Sequence, residues 1–240
     1  MRVLTLLGRV AFMTLFAVIC TAGVLHMHRP TRRWAFASFC VAMNKRSPEM
    51  RALRCEVVGN ATGHVLEIGP GPGGNLACYG PEVTAWTGVE PNPEFAPYVA
   101  AAAAATERKI RLVDGVAEDL VAAGVADASI DTYVATHVLC SVDDVSQVLA
   151  EASRVLKPGG KLFFLEHVLA QDSPTLAFVQ QAIAPLWRIF GDGCEFRTQW
   201  YELEAAAAAG LFIDLEITFF DAPIKLVIAK PHIKGSATKP

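Results

Sequence analysis

The chain has 240 residues, of which 52% are hydrophobic and 19% charged, with a formal net charge of −3. This composition excludes an intrinsically disordered chain, which would be poor in apolar residues and strongly charged. It also lacks the basic field that draws proteins to nucleic acid. Only one stretch approaches membrane length, so a polytopic transporter is excluded too. The length suits one domain plus an extra segment. Much of the apolar excess lies in the first 43 residues and in alanine runs at 100–105 and 205–209, which read as helix. The six cysteines fall at 20, 40, 55, 78, 140 and 194. No CxxC spacing occurs among them, so no metal centre and no disulfide framework is expected, only reduced thiols.

Residues 3–25 carry a single charge, Arg9, and a basic cluster of His26, His28, Arg29, Arg32 and Arg33 follows. An uncleaved membrane anchor, a cleaved signal peptide and a buried core helix all fit such a segment. The basic flank and the chemistry below favour the anchor, with the remainder of the chain on the cytosolic side. A second apolar stretch, 34–43, is expected to lie at the membrane interface. The domains read as 1–43, anchor and interfacial segment, and 44–240, globular.

From residue 44 the pattern alternates. A charged helix over 49–58 leads to a strand at 64–68, a short helix at 73–79 and a strand at 83–89. A helix at 93–106, a strand at 110–113, a short helix at 118–123 and a strand at 130–135 follow. A helix at 143–156 and a strand at 161–166 complete the alternation, which implies a parallel sheet covered on both faces. Two closing strands, 211–218 and 224–229, are joined by too short a link for a crossover, so they predict an antiparallel hairpin. The fold class is α/β, Rossmann-like and mostly parallel, with the N-terminal anchor helix added.

The strongest motif joins Glu67 to Gly69, Gly71 and Gly73 at a strand-to-helix turn, with Asn75 just beyond. Glycines let a ligand approach the backbone closely. Glycine loops of this kind are shared by several nucleotide-binding folds. Glu67 narrows the choice, because a carboxylate there suits a cationic amino group, which S-adenosylmethionine has and dinucleotides lack. Glu90, followed by Pro91 and Asn92, ends the next strand, where a carboxylate can take both ribose hydroxyls. A solvated strand-end charge is the bland alternative for Glu90 alone. Ligands of open α/β sheets bind beyond the carboxyl ends of the strands, which adds Ala117, Glu118, Thr136, His137, Cys140, Ser141 and His167 as candidates.

These residues, with the turn at Ala117 and Glu118 and the Leu156-Lys-Pro-Gly-Gly link, resemble class I, type 11 methyltransferases dependent on S-adenosylmethionine, over about 60–170. One departure is Val116, where that family often has an acid, so the adenine contact would fall to backbone at Ala117. A narrower resemblance rests on Val138-Leu-Cys-Ser-Val142, Glu166-His-Val168, Phe190-Gly-Asp-Gly-Cys194 and Lys230-Pro-His-Ile-Lys-Gly235. These are similar to the methyltransferase-like alkyl thiol S-methyltransferases, which pair a hydrophobic anchor with a cytosolic catalytic domain. The resemblance implies residence in endoplasmic reticulum membrane or on lipid droplets and a small lipophilic thiol, or sulfide, as acceptor. It gives no reason to expect nucleic acid as a partner.

A thiol of pKa ~8.5 is only a few per cent ionised at neutral pH, so a base or a positive environment would help. His137 and His167 are the candidate bases. Cys140, Ser141, Asp192 and Cys194 are candidates for the acceptor pocket. A backbone-bonded His167 and a merely packed Cys194 are competing readings. Residues 185–189, Trp200 and Tyr201 fit either an apolar lid or plain core. Methylation of oxygen or carbon on a quinone, sterol or lipid, and a non-catalytic scaffold, remain open at this stage.

Overall fold

A computed structural model describes residues 13–14, 17–18, 20–24, 26, 28–106 and 109–240. The expected anchor therefore falls largely outside the described residues, and among those described no helix is long and apolar enough to cross a membrane. The chain continues as α1 (Arg29–Arg46) and α2 (Pro48–Val58), then β1 (Gly63–Ile68), β2 (Val83–Val89), α3 (Ala96–Ala104), β3 (Ile110–Val113) and β4 (Ile130–Thr136). It ends with α4 (Val145–Val155), β5 (Leu156–His167), α5 (Pro174–Phe190), α6 (Gln199–Ala208), β6 (Ile213–Asp221) and β7 (Pro231–Thr238).

The seven strands form one sheet in the order β3-β2-β1-β4-β5-β7-β6. β3 to β5 pair in parallel, and β7 runs antiparallel to both β5 and β6. Side chains alternate across the sheet with the strand period of two. Leu66, Tyr133 and Phe164 face a core shared with Val148, Leu149 and Ala152 of α4. Val65, Trp86, Val134 and Leu165 face a second core with Val57, Val58 and Val99. Two covered faces are what a parallel sheet requires. They direct the strand ends of β1, β2, β4 and β5 to one edge.

Five expectations need correction. The short helix expected over 73–79 is a run of turns, with Gly73 N–H bonded to Pro70 O, Leu76 N–H to Gly73 O and Cys78 N–H to Asn75 O. Three-residue spacing is what glycine-rich chain supports where the α-helix costs too much backbone entropy. The segment 118–123 is likewise turns. The last strand is not 224–229 but Pro231–Thr238, and Val227–Ala229 forms a 3₁₀ turn in the link. β7 is squeezed between two neighbours, and any Cβ at Gly235 would collide with the carbonyl of Glu216. Glycine here reads as a strand breaker while serving close approach.

The fourth correction concerns the thiols. Cys55 on α2 and Cys78 at the end of the turns form a disulfide across a sequence separation of 23. Spacing alone could not reveal it, because the fold makes them neighbours. The fifth concerns 34–43, which is not a segment apart but the middle of α1. It packs on the domain through Ala37, 2% exposed, and through Phe36, whose ring meets Phe95 edge-on at 6.2 Å, while Trp34 and Phe39 stay exposed. The helix runs unbroken past the expected domain boundary at 43. Helices α5 and α6 fill a region where sequence offered only an apolar stretch and an alanine run.

Candidate active site

Glu67 closes β1 and is 1% exposed. Its Oε1 accepts from Asn75 Nδ2 at 2.8 Å, and its Oε2 accepts from Tyr79 Oη at 2.7 Å and Trp86 Nε1 at 2.9 Å. Burial raises its pKa, opposed by those three donors and by the Arg54 charge. Glu67 therefore anchors the loop from below, with Oε1 accepting one of the three donors and keeping lone-pair capacity. The Asn75 amide also donates to Thr136 Oγ1 at 2.9 Å. Its Oδ1 is left buried with no donor among the described residues. A buried acceptor lacking a donor is costly, and a cationic amino group would satisfy it. The loop above is open, since a Cβ at Gly71 (φ +53°) would meet only the Phe95 ring, at 3.9 Å. Gly69 and Gly73 share the positive φ.

Glu90 closes β2. Its Oε2 accepts from Gly71 N–H at 3.0 Å and its Oε1 from Asn92 N–H at 2.9 Å. Each oxygen keeps lone-pair capacity for a hydroxyl. Burial pushes its pKa up to about 7, against these two donors. Asn92 is buried and donates from Nδ2 to Arg33 O of α1 at 3.1 Å, and Pro91 stands between the two. Helix α1 thus roofs the loop: Arg54 of α2 bonds Asn44, and Arg32 pairs with Asp192 at 2.6 Å. Asp192, expected in the acceptor pocket, pairs with Arg32 and so clasps α1. Burial, and then Glu90, push the Cys40 thiol up to about 12, so it remains protonated. Ala117 is core, and Glu118 ties the N–H of Asp143 at 2.7 Å, linking the loops after β3 and β4.

The ends of β4 and β5 carry the second half of the site. His137 has a left-handed backbone (φ +56°), and its Nε2 lies 3.1 Å from Nε2 of His232 on β7. Burial, then the neighbouring His232, drive His137 well below its ordinary value, while burial takes His232 down to about 4. Both rings are neutral at physiological pH. His167 Nε2 lies 2.8 Å from Cys194 Sγ, which in turn lies 3.3 Å from Cys140 Sγ, with Ser141 Oγ 3.5 Å from the latter. Burial lowers the pKa of His167, but Cys140 and Glu166 outweigh it and hold the ring above its usual value. Glu166 accepts from the N–H groups of Val138 and Leu139 at 2.9 and 3.1 Å, fixing the loop that presents Cys140.

The expected residues thus fall into two groups on one sheet edge. Sequence reasoning missed Glu166 and His232 as members of the site, although both lie inside the quoted motifs.

The family model described as a methyltransferase domain matches residues 66–164. Thiol S-methyltransferase TMT1A of Homo sapiens is 37% identical over 189 residues, covering 73% of this chain and 70% of the relative. Thiol S-methyltransferase TMT1B of Homo sapiens is 37% identical over 203 residues, covering 81% of this chain and 80% of the relative. The chain belongs to this methyltransferase family. It is an enzyme that uses S-adenosylmethionine as its cofactor. The solved structure of an S-adenosylmethionine-dependent methyltransferase from Thermotoga maritima shares the fold, with a TM-score of 0.61 at 19% identity, over 86% of this chain and 99% of that one. The residues fit the cofactor: the glycine loop for close approach, Asn75 Oδ1 for the amino group and Glu90 for the ribose.

Proposed function

We propose that this enzyme S-methylates small lipophilic thiols. The observation that carries the reading is the 37% identity, over 73% and 81% of the chain, to the two thiol S-methyltransferases named above. A cavity of about 290 Å³ reaches His232, its wall mixed, with Val168, Phe219 and Phe220 beside Asp172, Ser173 and Asp221. His232 donates from Nδ1 to Lys230 O at 2.9 Å and accepts from His137 Nε2. The nitrogen of the pair left to take a proton is therefore Nδ1 of His137, which directly follows Thr136 of the cofactor loop. An alcohol, close to water at ~15.7, is about 10 kcal/mol harder to deprotonate than a thiol at ~8.5. A neutral imidazole therefore suits a thiol better than an aliphatic alcohol. The relatives named above as thiol S-methyltransferases support the same choice.

The cofactor supplies an electrophilic methyl group on a sulfonium. The acceptor sulfur loses its proton, gains the S–CH₃ bond, and leaves a thioether and S-adenosylhomocysteine. The chain's own work is to align the acceptor, exclude water beneath α1, and receive the proton at the His137–His232 pair. His167, the other expected base, has its Nε2 engaged by Cys194 and is not assigned the proton.

The same reading puts the protein at a membrane or lipid-droplet surface, as in the endoplasmic reticulum. Supporting it, Trp34 and Phe39 of α1 are 60% and 59% exposed, and Phe178 of α5 is 70% exposed. Large apolar side chains so displayed suit an interface. The Cys55–Cys78 disulfide, however, suits an oxidising compartment more than the expected cytosolic side. Protease added outside sealed microsomes decides the side, since only a cytosolic domain is cut.

The test of the reaction is methyl-label transfer by detergent-solubilised full chain to an alkyl thiol, sulfide, a phenol and a quinol. Label on the sulfur acceptors alone supports the proposal. Label on oxygen or carbon overturns it.

A further inference from the structure

Cys140, His167 and Cys194 come from three separate places: the loop after β4, the end of β5 and the loop after α5. They are 1%, 7% and 8% exposed. Their Sγ, Nε2 and Sγ atoms all lie within 4.8 Å of one another. The separations of 27 residues between His167 and Cys194 and 54 between the cysteines match no metal-binding spacing, so the set is invisible in the sequence. Only the fold assembles it.

We propose that these three side chains form a site for a zinc ion. Two thiolates and an imidazole are the ligand class that zinc selects over harder cations. Their two negative charges would neutralise the ion, so no further charged group is needed in so dry a place. Binding releases one proton from each thiol. Tetrahedral bonds of ~2.3 Å to sulfur and ~2.0 Å to nitrogen separate the two sulfurs by about 3.8 Å and sulfur from nitrogen by about 3.5 Å. The present 3.3 and 2.8 Å separations need side-chain shifts of roughly half an ångström to reach that geometry.

The surroundings supply outer-shell contacts on the sulfur side, whereas His167 Nδ1 is buried with no partner among the described residues. Trp187 Nε1 donates to Cys194 Sγ at 3.3 Å, as groups around metal-bound sulfur do. The rings of Trp187 and Phe196 lie 6.3 and 5.5 Å from that of His167 and wall the cluster from water. Glu166 holds the backbone of Val138 and Leu139, two and one residues before Cys140.

Three protein ligands leave a fourth position, the mark of a zinc site that takes a further ligand rather than a purely structural one. The fourth ligand assigned is the sulfur of the acceptor thiol, which would lose its proton far more readily there. This last assignment rests on the thiol reading above. It also explains how so weak a base as the His137–His232 pair suffices.

Full-length protein purified in detergent without chelators should carry roughly one zinc per chain by elemental mass spectrometry. Replacement by cobalt should give thiolate-to-cobalt charge-transfer absorption. Cys194→Ala and Cys140→Ala should abolish that band while cofactor binding, measured by calorimetry, persists as the check of folding. Trp187→Phe should weaken metal affinity by roughly tenfold, the lower end for loss of an outer-shell partner. Adding an alkyl thiol should shift the cobalt d–d bands. Stoichiometric metal with unshifted bands upholds the site and overturns the fourth-ligand assignment. Protein that binds cofactor yet carries neither zinc nor cobalt overturns the site, and thiol methylation by that same protein would leave the proposed reaction standing. Stoichiometric metal with label only on oxygen would do the reverse.

Discussion

The two halves of the active edge are built differently. The cofactor half draws on one short stretch, Glu67 to Glu90, where Asn75, Tyr79 and Trp86 all bond the same carboxylate. The acceptor half draws on His137, Cys140, His167, Cys194 and His232, spread over almost a hundred residues, with 95 between the first and the last. The cofactor half is a turn whose chemistry is local. The acceptor half exists only when β4, β5 and β7 are in register. The lesson is that the reaction class is written in contiguous chain, while the substrate is selected by residues that only the sheet brings together.

If that division holds, damage to the acceptor half should spare cofactor binding. His137→Asn is the sharpest such change, because asparagine tolerates the left-handed backbone at this position. Turnover should fall by roughly 10²–10⁴-fold, the usual range for loss of a proton-transfer group. Cofactor affinity should stay as it was, which calorimetry beside a label-transfer assay would establish.

The converse change is Glu90→Ala. Loss of two hydroxyl bonds to a carboxylate, at about 1.5 kcal/mol each or more, should weaken cofactor binding by roughly 100-fold or more. A titration that shows unchanged affinity would remove Glu90 from the cofactor half.

The disulfide tests whether the loop needs bracing from outside. Cys55 and Cys78 tie α2 to the turns that follow the glycines across a separation of 23 residues. Cys55→Ser should lower unfolding stability by about 3 kcal/mol, read by denaturant titration under non-reducing conditions. The same denaturation with reductant should bring the unaltered chain down to the variant.

A smaller effect concerns pH. Glu90 is held at about 7, above its unfolded value. The folded state therefore retains a proton that the unfolded chain loses, so this group's contribution to stability is present at low pH and is lost as pH rises towards 7. Cofactor binding runs the other way, since the ionised carboxylate accepts hydroxyls best. Affinity should drop several-fold between about pH 8 and pH 6, and Glu90→Gln should flatten the profile.

Most of the sheet was legible: the largely buried β2 and even the partly exposed edge strand β3 match the sequence reading at both ends. The last strand was not, since the apolar run at 226–229 outweighed Pro231 and Gly235. That shift moved His232 off the sheet and out of the candidate site. Glu67 was found, but not its structural partners, because sequence cannot show that Tyr79 and Trp86 reach back to it. Helix α1 carries apolar residues on both its packed face, at Phe36 and Ala37, and its exposed face, at Trp34 and Phe39. Such a helix reads as membrane-facing throughout, and only the fold divides the two faces. Asp192 is acidic and lies near the cysteines in sequence, yet nothing there reveals Arg32 as its partner.

The most direct test of thiol methylation is competition between an alkyl thiol and the alcohol of the same chain length, at equal concentration, with methyl-labelled cofactor. Chain length and lipophilicity then cancel, and only the acidity and nucleophilicity of the acceptor atom differ. The account predicts label on the thioether and none on the ether. Comparable label on the ether would contradict it, because the neutral imidazole of His137 suits a thiol better than an aliphatic alcohol.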